Sequence, residues 1–414
     1  MRFLFPRHRL LPHPADRGPL RVMFVITNMP VGGAETLLVN LVRRLDRSRF
    51  APELCCLKYF GPLGEVLAAE VPAFEGLIAH KYDVSVLGRL TRLMKQRAID
   101  AVVTVGTGGD KMFWGRLAAR AAGVPVILSA LHSTGLPDHV ERLNRLLAPI
   151  TDGFIGVAAA HGEYLARAEG CPPSKVFVIP NGVDTERFSP CEPDAKLRQS
   201  LGLVPHQPVA AIVAALRPEK NHELFLRAAA RIASDRPEAR FLIIGDGPRR
   251  GELERLTAEL GIARNVLFLG TRSDVQQILS LASVLVLSSH MEANPVSILE
   301  ALACARPVVA TRVGSIAESV EHGVCGYLVT PGDEVELAAR VDELLGQPEL
   351  ARRMGQAGRE RVVRNGSLER MVEGYQDLIE GIYTAKCSGP PSERSPRASA
   401  PLAMSAPVPP AGKS

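Results

Sequence analysis

The sequence predicts an α/β protein of two doubly wound units that face one another across a shared cleft. Three observations carry that expectation. Short, continuous apolar runs alternate with amphipathic helical patterns along most of the chain. Those runs fall into two series, separated by a turn-rich segment at 180–190. And 414 residues, 44.6 kDa, exceed one ordinary core and suit two domains of roughly 150–200 residues each.

The elements follow in order. Residues 21–27 (RVMFVIT) read as a buried strand, followed by a glycine-containing turn and a helical pattern over 34–45. Further strands are expected at 100–105, 125–129, 153–157 and 175–179. The second series runs over 208–215, 241–244, 266–269, 284–288, 307–311 and Gly326–Val329. Apolar runs without polar alternation imply strands covered on both faces, as in a parallel sheet clothed by helices. Between the series, Pro180-Asn181-Gly182 and Pro190 are turn residues that end one unit before the next begins. The resulting division is a basic extension at 1–20, a first domain at 21–184, a second at 185–366, a helix at 367–387 that packs back on the first domain, and a Pro/Ser/Ala-rich tail at 388–414 that reads as disordered.

The formal net charge is +5, but it sits at the ends. Residues 1–21 carry five arginines against Asp16, and residues 388–414 carry three basic residues against Glu393. The body between them is one charge negative, which argues against a nucleic-acid groove. Seven cysteines are scattered without metal-ligand spacing, so a reducing, cytoplasmic compartment fits best. No run approaches the roughly 18–20 apolar residues that span a bilayer, and the start lacks the apolar core of a signal peptide. Residues 83–97 pattern as a helix with Leu87, Leu90, Leu93 and Met94 beside Arg89, Arg92, Lys95 and Arg97. Two readings stand: a core-facing helix with a solvated basic side, or peripheral contact with an anionic membrane.

Five places carry candidate chemistry. Gly32-Gly33-Ala34-Glu35 lies at a strand-to-helix turn, where backbone N–H groups and the helix N-terminus suit an anion; the plain alternative is a tight turn. Arg217-Pro218-Glu219-Lys220 follows the first strand of the second series, where Pro and Glu open a helix and two cations suit a diphosphate; a solvated charge cluster is the alternative. Gly245-Asp246-Gly247 follows another strand, but the next glycine, Gly251, is misplaced for a dinucleotide fingerprint. Glu292 and Glu300 bracket a helix start in which Asn294 is expected to cap and Pro295 to be the first helical residue. His132 stands just beyond the carboxyl end of a strand, where clefts form, although a lone histidine is more often structural.

Taken together these residues resemble the retaining nucleotide-sugar glycosyltransferases of family 4, which have the GT-B fold of two Rossmann-like domains. The shared motifs are Gly32-Gly33-Ala34-Glu35, Asn181-Gly182-Val183-Asp184, Gly245-Asp246-Gly247, the Glu292…Glu300 pair and the run Glu300-Ala301-Leu302-Ala303-Cys304-Ala305-Arg306-Pro307-Val308-Val309-Ala310, over roughly residues 21–386. The resemblance implies that Glu300 holds the donor ribose hydroxyls and that Glu292 contacts the transferred sugar. Asn294, Pro295 and Val296 would supply main-chain contacts, and Lys220 would meet the diphosphate. Gly32 and Gly33 would admit the donor phosphate, with Gly245 and Gly247 on the donor side, and His132 would lie near the sugar. His132, Glu292 and Lys220 are the side chains implied for the chemistry.

The partners implied are a nucleotide-diphospho-sugar and a glycan or lipid-linked acceptor, with no metal or other cofactor. Other readings on the same fold are a sugar-nucleotide epimerase or a non-catalytic sugar-nucleotide-binding scaffold. The chain departs from the family pattern in three places. Ala215 stands where an Arg is common, with Arg217 two residues on, and Ala293 and Ala305 stand where Gly is usual.

Overall fold

The computed structural model describes residues 12–13, 18–80, 83–106, 112–132 and 140–387, with side chains throughout except at 140–143. The first sheet contains β1 (Leu20–Ile26), β2 (Phe50–Cys56), β3 (Ala73–Phe74), β4 (Ala101–Gly106), β5 (Val126–Leu131), β6 (Gly153–Gly156) and β7 (Val176–Val178). Its helices are α1 (Gly33–Arg44), α2 (Gly61–Ala68), α3 (Val86–Gln96), α4 (Met112–Ala122), α5 (Val140–Leu147) and α6 (Ala159–Arg167). After α7 (Ala195–Ser200) the second sheet is built from β8 (Val209–Val213), β9 (Arg240–Ile244), β10 (Val266–Gly270), β11 (Val284–Leu287), β12 (Val308–Thr311) and β13 (Gly326–Val329). Between and beyond these strands lie α8 (His222–Asp235), α9 (Arg250–Glu259), α10 (Val275–Leu281), α11 (Val296–Ala303), α12 (Ile316–Ser319), α13 (Glu334–Gly346), α14 (Pro348–Asn365) and α15 (Leu368–Cys387).

Every strand pairing is parallel, in the orders β3-β2-β1-β4-β5-β6-β7 and β10-β9-β8-β11-β12-β13. Both sheets are therefore doubly wound. The strand order reverses beside β1 in one and beside β8 in the other, so the turns after β1 and β8 stand at the crevices where α/β sheets bind ligands.

Two strands escape the reading of apolar runs. β2 (FAPELCC) is broken by Pro52 and Glu53. Leu54 donates its N–H to the Pro72 carbonyl on the β3 side, so the Pro52 nitrogen, two residues earlier, faces that same side. β3 pairs only with Leu54 and Cys55, so Pro52 lies on open edge, where a missing N–H costs little. Glu53 is buried yet lies between Arg97 (2.9 Å) and Arg21 (3.4 Å). Elsewhere the strands match expectation to within two residues at their ends, and β13 matches it fully.

On α3, Val86, Leu90 and Met94 are buried under the first sheet and Leu87 and Leu93 pack beside them. Arg89 reaches the Leu77 carbonyl, while Arg92 and Lys95 face solvent. The apolar side of this helix is thus used up in packing. No helix among the described residues is long and apolar enough to cross a membrane.

The chain crosses between the units twice, side by side. Val183 N–H donates to the Gly366 carbonyl and Leu368 N–H to the Val183 carbonyl. A Cβ on Gly182 would sit 2.5 Å from the Ser367 carbonyl oxygen, so glycine is what lets the two passages touch. Beyond the crossing, Leu368, Met371, Val372, Tyr375, Ile379 and Tyr383 of α15 join the core built on β1. The Tyr383 hydroxyl donates to the Pro12 carbonyl, so the N-terminal extension, expected to be loose, is held against α15 at that residue.

Ala305 ends α11 with φ at +55°, in the left-handed region where glycine is the usual residue. The other departure, Ala293, is buried without positive φ and is accommodated. A left-handed alanine costs about 1–2 kcal/mol, partly offset because alanine gives up less freedom on folding than glycine. Ala305→Gly is therefore expected to stabilise the protein by roughly 0.5–1 kcal/mol. Urea unfolding followed by circular dichroism checks this; a midpoint that stays put or falls contradicts it.

Candidate active site between the two sheets

The loops after β8 and β11 are stapled together. His290 N–H donates to the Glu219 carbonyl (2.9 Å), and Ser288 Oγ donates to the Asn221 carbonyl (2.8 Å). Pro218–Lys220 forms a single 3-10 turn, then Asn221 takes φ +46° and α8 begins at His222. The expected helix start at Pro218 is thus displaced by one short turn, and the kink at Asn221 leaves Lys220 on the cleft side of the loop.

Lys220 Nζ lies 2.6 Å from Glu292 Oε1, which also accepts the Ser289 hydroxyl at 2.6 Å. Glu292 is buried. Beneath it, Gly314 (φ +53°) runs so close that a Cβ would collide with the Glu292 carbonyl. Burial leaves the Glu292 carboxylate dependent on these two donors, since an unpaired charge there would be costly.

Asn294 does not cap α11. The helix starts at Val296, with Pro295 in the cap position and no side-chain capping bond. The Asn294 side-chain amide instead donates to the Val157 carbonyl after β6 (2.7 Å), and the Asn294 main-chain carbonyl accepts from Asn181 Nδ2 (2.7 Å). A bond to the opposing domain has taken the side chain that local pattern assigned to the helix. Val296 faces Gly33, where an added Cβ would lie 3.6 Å from Val296 Cγ2. Gly32, the residue before α1, sits over the carboxylate of Glu35. The turn after β1 and the start of α11 are therefore neighbouring walls of one cleft.

Glu300, one turn into α11, is half-buried. Burial pushes its carboxyl up to about 7, with Arg187 pulling the other way. Arg187 lies in the linker segment, where nothing in the sequence pattern signals a role for it. Burial likewise raises Glu35, against the pull of Arg217 from the other domain. Arg217 itself is exposed. His132 follows β5, donates its N–H to the Gly106 carbonyl (3.0 Å), and is half-buried. Burial, with His161 alongside, pulls its imidazole down to about 4, so it is neutral at physiological pH.

Gly245 and Gly247 have a different position from the rest. Both back onto the loop after β8: a Cβ on Gly245 would collide with the Ala214 carbonyl, and one on Gly247 would lie 2.6 Å from the Leu216 carbonyl. They let that loop settle on the sheet. Lys220 pairs with Glu292, Asn294 reaches Val157 of the first domain, and Val296 meets the Gly33 turn, with Glu300 a turn along the same helix. Among the described residues no three His, Cys, Asp or Glu side chains cluster with metal-binding geometry.

Residues 31–187 match the Glycosyltransferase Family 4 family and residues 193–361 match the family Glycosyl transferases group 1. The chain is 31% identical over 319 residues to the GDP-mannose-dependent alpha-(1-6)-phosphatidylinositol monomannoside mannosyltransferase of Mycolicibacterium smegmatis, covering 73% of this chain and 82% of that protein. It is 28% identical over 379 residues to the UDP-Gal:alpha-D-GlcNAc-diphosphoundecaprenol alpha-1,3-galactosyltransferase of Escherichia coli, covering 86% and 96%. Among solved structures, Anabaena Alr3699/HepE in complex with UDP-glucose superposes with a TM-score of 0.77 at 22% identity, covering 87% of this chain and all of that one. Two doubly wound parallel sheets, a cleft lined from both, and matches that run through each half lead to one assignment: the chain belongs to the glycosyltransferases of family 4 and has their GT-B fold.

Proposed function

We propose that this protein transfers a sugar from a nucleoside-diphosphate sugar to a glycan or lipid-linked acceptor, with retention of anomeric configuration and without a metal ion. The observation that carries the reading is the Lys220–Glu292 pair, set on stapled loops, with the start of α11 a few residues on meeting the Gly33 turn through Val296. The relatives named above use UDP-Gal and GDP-mannose, which supports a nucleotide-sugar donor.

In this reading Glu300 accepts the donor ribose hydroxyls. Lys220, with Arg217 standing in for the arginine replaced by Ala215, meets the diphosphate. Glu292 and the backbone at Asn294–Val296 meet the sugar, and neutral His132 hydrogen-bonds one of its hydroxyls. The bond from the anomeric carbon to the diphosphate oxygen breaks, and a bond to the acceptor oxygen forms on the same face. The acceptor's proton passes to the leaving diphosphate. The protein's contribution is to neutralise charge on the leaving group with fixed cations and to hold the acceptor on the leaving-group face of the anomeric carbon. Lys220 is already paired with Glu292, so donor binding exchanges one anionic partner for another.

Two measurements test this. First, UDP, GDP and ADP are screened by thermal shift, and one is expected to raise the melting temperature. Glu300→Gln is expected to weaken that nucleotide about tenfold or more, the worth of charge-assisted hydrogen bonds. If no nucleotide shifts the protein, the reading falls.

Second, pH separates Glu300 from its neighbours. Its carboxyl is raised from 4.5 to about 7, so the free protein keeps a proton there that the unfolded chain gives up. The resulting contribution to stability is full below pH 4.5 and is lost as pH rises toward 7. Nucleotide affinity is expected to move the opposite way, weakening as pH falls below 7, because protonation removes an acceptor. Both slopes should flatten in Glu300→Gln, and an unchanged slope for affinity contradicts the ribose role.

A further inference from the structure

We propose that Tyr59 and Asn28 form an acceptor subsite that stacks the apolar face of a pyranose, and hence that the acceptor presents a sugar ring to the first domain. This rests on the glycosyltransferase reading and gives the acceptor side of the same cleft a chemical class.

Tyr59 lies in the loop after β2 and is 57% exposed, the only aromatic among the exposed large hydrophobic side chains of the described residues. It is not loosely placed. Asn28 Nδ2 donates to its hydroxyl at 3.0 Å, which fixes the ring from the neighbouring loop. The two loops are braced by Lys58 N–H to the Thr27 carbonyl (2.9 Å) and Met29 N–H to the Phe60 carbonyl (2.9 Å). A large, mostly exposed ring whose hydroxyl is held by a hydrogen bond is an amphipathic surface awaiting a partner.

Its place matches the cleft. The loops follow β1 and β2, at the carboxyl edge of the sheet that also carries the Gly33 turn. Asn28 is five residues before Gly33, so the shelf lies within about 18 Å of the wall that meets Val296, the span of a short oligosaccharide. Val31, 57% exposed, lies between them.

The chemistry selects a sugar over a phosphate. A pyranose offers a face of C–H groups ringed by hydroxyls, which matches a tyrosine ring beside a carboxamide. A phosphate needs clustered cations or open helix amides. Residues 57–63 contain one cation, Lys58. Two amides at the start of α2 are engaged, since Phe60 N–H donates to Glu75 Oε2 at 2.6 Å and Leu63 N–H to the Met29 carbonyl at 3.1 Å. A carboxylate thus already occupies the place an anionic headgroup would take.

The test uses the full chain, Tyr59→Ala and Tyr59→Phe. Methyl α- and β-pyranosides of glucose, galactose, mannose and N-acetylglucosamine, and the corresponding disaccharides, serve as probes. Saturation-transfer NMR reads their binding without any donor. Nucleoside-diphosphate release from UDP-, GDP- and ADP-sugars reads turnover. Tyr59→Ala is expected to weaken pyranoside binding and raise the acceptor KM about tenfold, at unchanged donor KM and unchanged acceptor-free hydrolysis. Tyr59→Phe, which keeps the ring, is expected to change the acceptor KM by about threefold or less.

The proposal is overturned if Tyr59→Ala binds the pyranosides as the wild type does. It is also overturned if the wild type binds none of them, or accepts glycerol 3-phosphate in their place. A protein that binds pyranosides through Tyr59 but no nucleotide would leave the shelf standing and remove the transferase reading.

Discussion

The site depends on a small set of bonds across the cleft, centred on Asn294. Its amide grips the Val157 carbonyl of the first domain while its carbonyl receives Asn181 from the linker. Nearby, Glu318 of α12 accepts the N–H groups of Ala159 and Ala160 at 2.8 and 2.7 Å. The residue before α6 is Ala158, whose methyl group cannot accept from those amides, so a carboxylate from the other domain does so. These polar contacts bring the start of α11 against the Gly33 turn. Without them Lys220 and Glu292 would line one domain only, and the cleft would have a single wall.

Much of the fold was legible in the sequence, because strands buried on both faces leave continuous aliphatic runs. β13 was read to the residue, and most others to within one or two. β2 was hidden by Pro52 and Glu53, each tolerable for a non-local reason: an uncovered edge at one and two arginines from elsewhere at the other. The site was legible as motifs but not as partners. Nothing local says that Lys220 pairs with a carboxylate 72 residues on, or that Asn294 serves the opposing domain and leaves its own helix uncapped. Glu35 lay inside a motif read for its turn, and only burial brought out its charge; Arg187 lay in the linker segment without a reading of its own.

The charge arithmetic gains meaning from the same contacts. The body is almost neutral, yet it is proposed to bind a dianionic diphosphate. The structure resolves the tension by counter-charging: Lys220 with Glu292, and Arg217 within the field of Glu35. A free cleft built this way has little net field, so selectivity falls to geometry and to the desolvation of Glu300, more than to long-range attraction.

The double crossing at Val183 and Ser367 makes the second domain an insertion in the first, since both α15 and Pro12 belong to the β1 side. On a ribosome the first core cannot close when its sheet is made. Leu368 to Tyr383, which cover it, emerge only after the whole second domain. The second domain can therefore fold early and independently, while the first waits with an open apolar face until α15 emerges. Loss of the final helix would then harm the half of the molecule synthesised first.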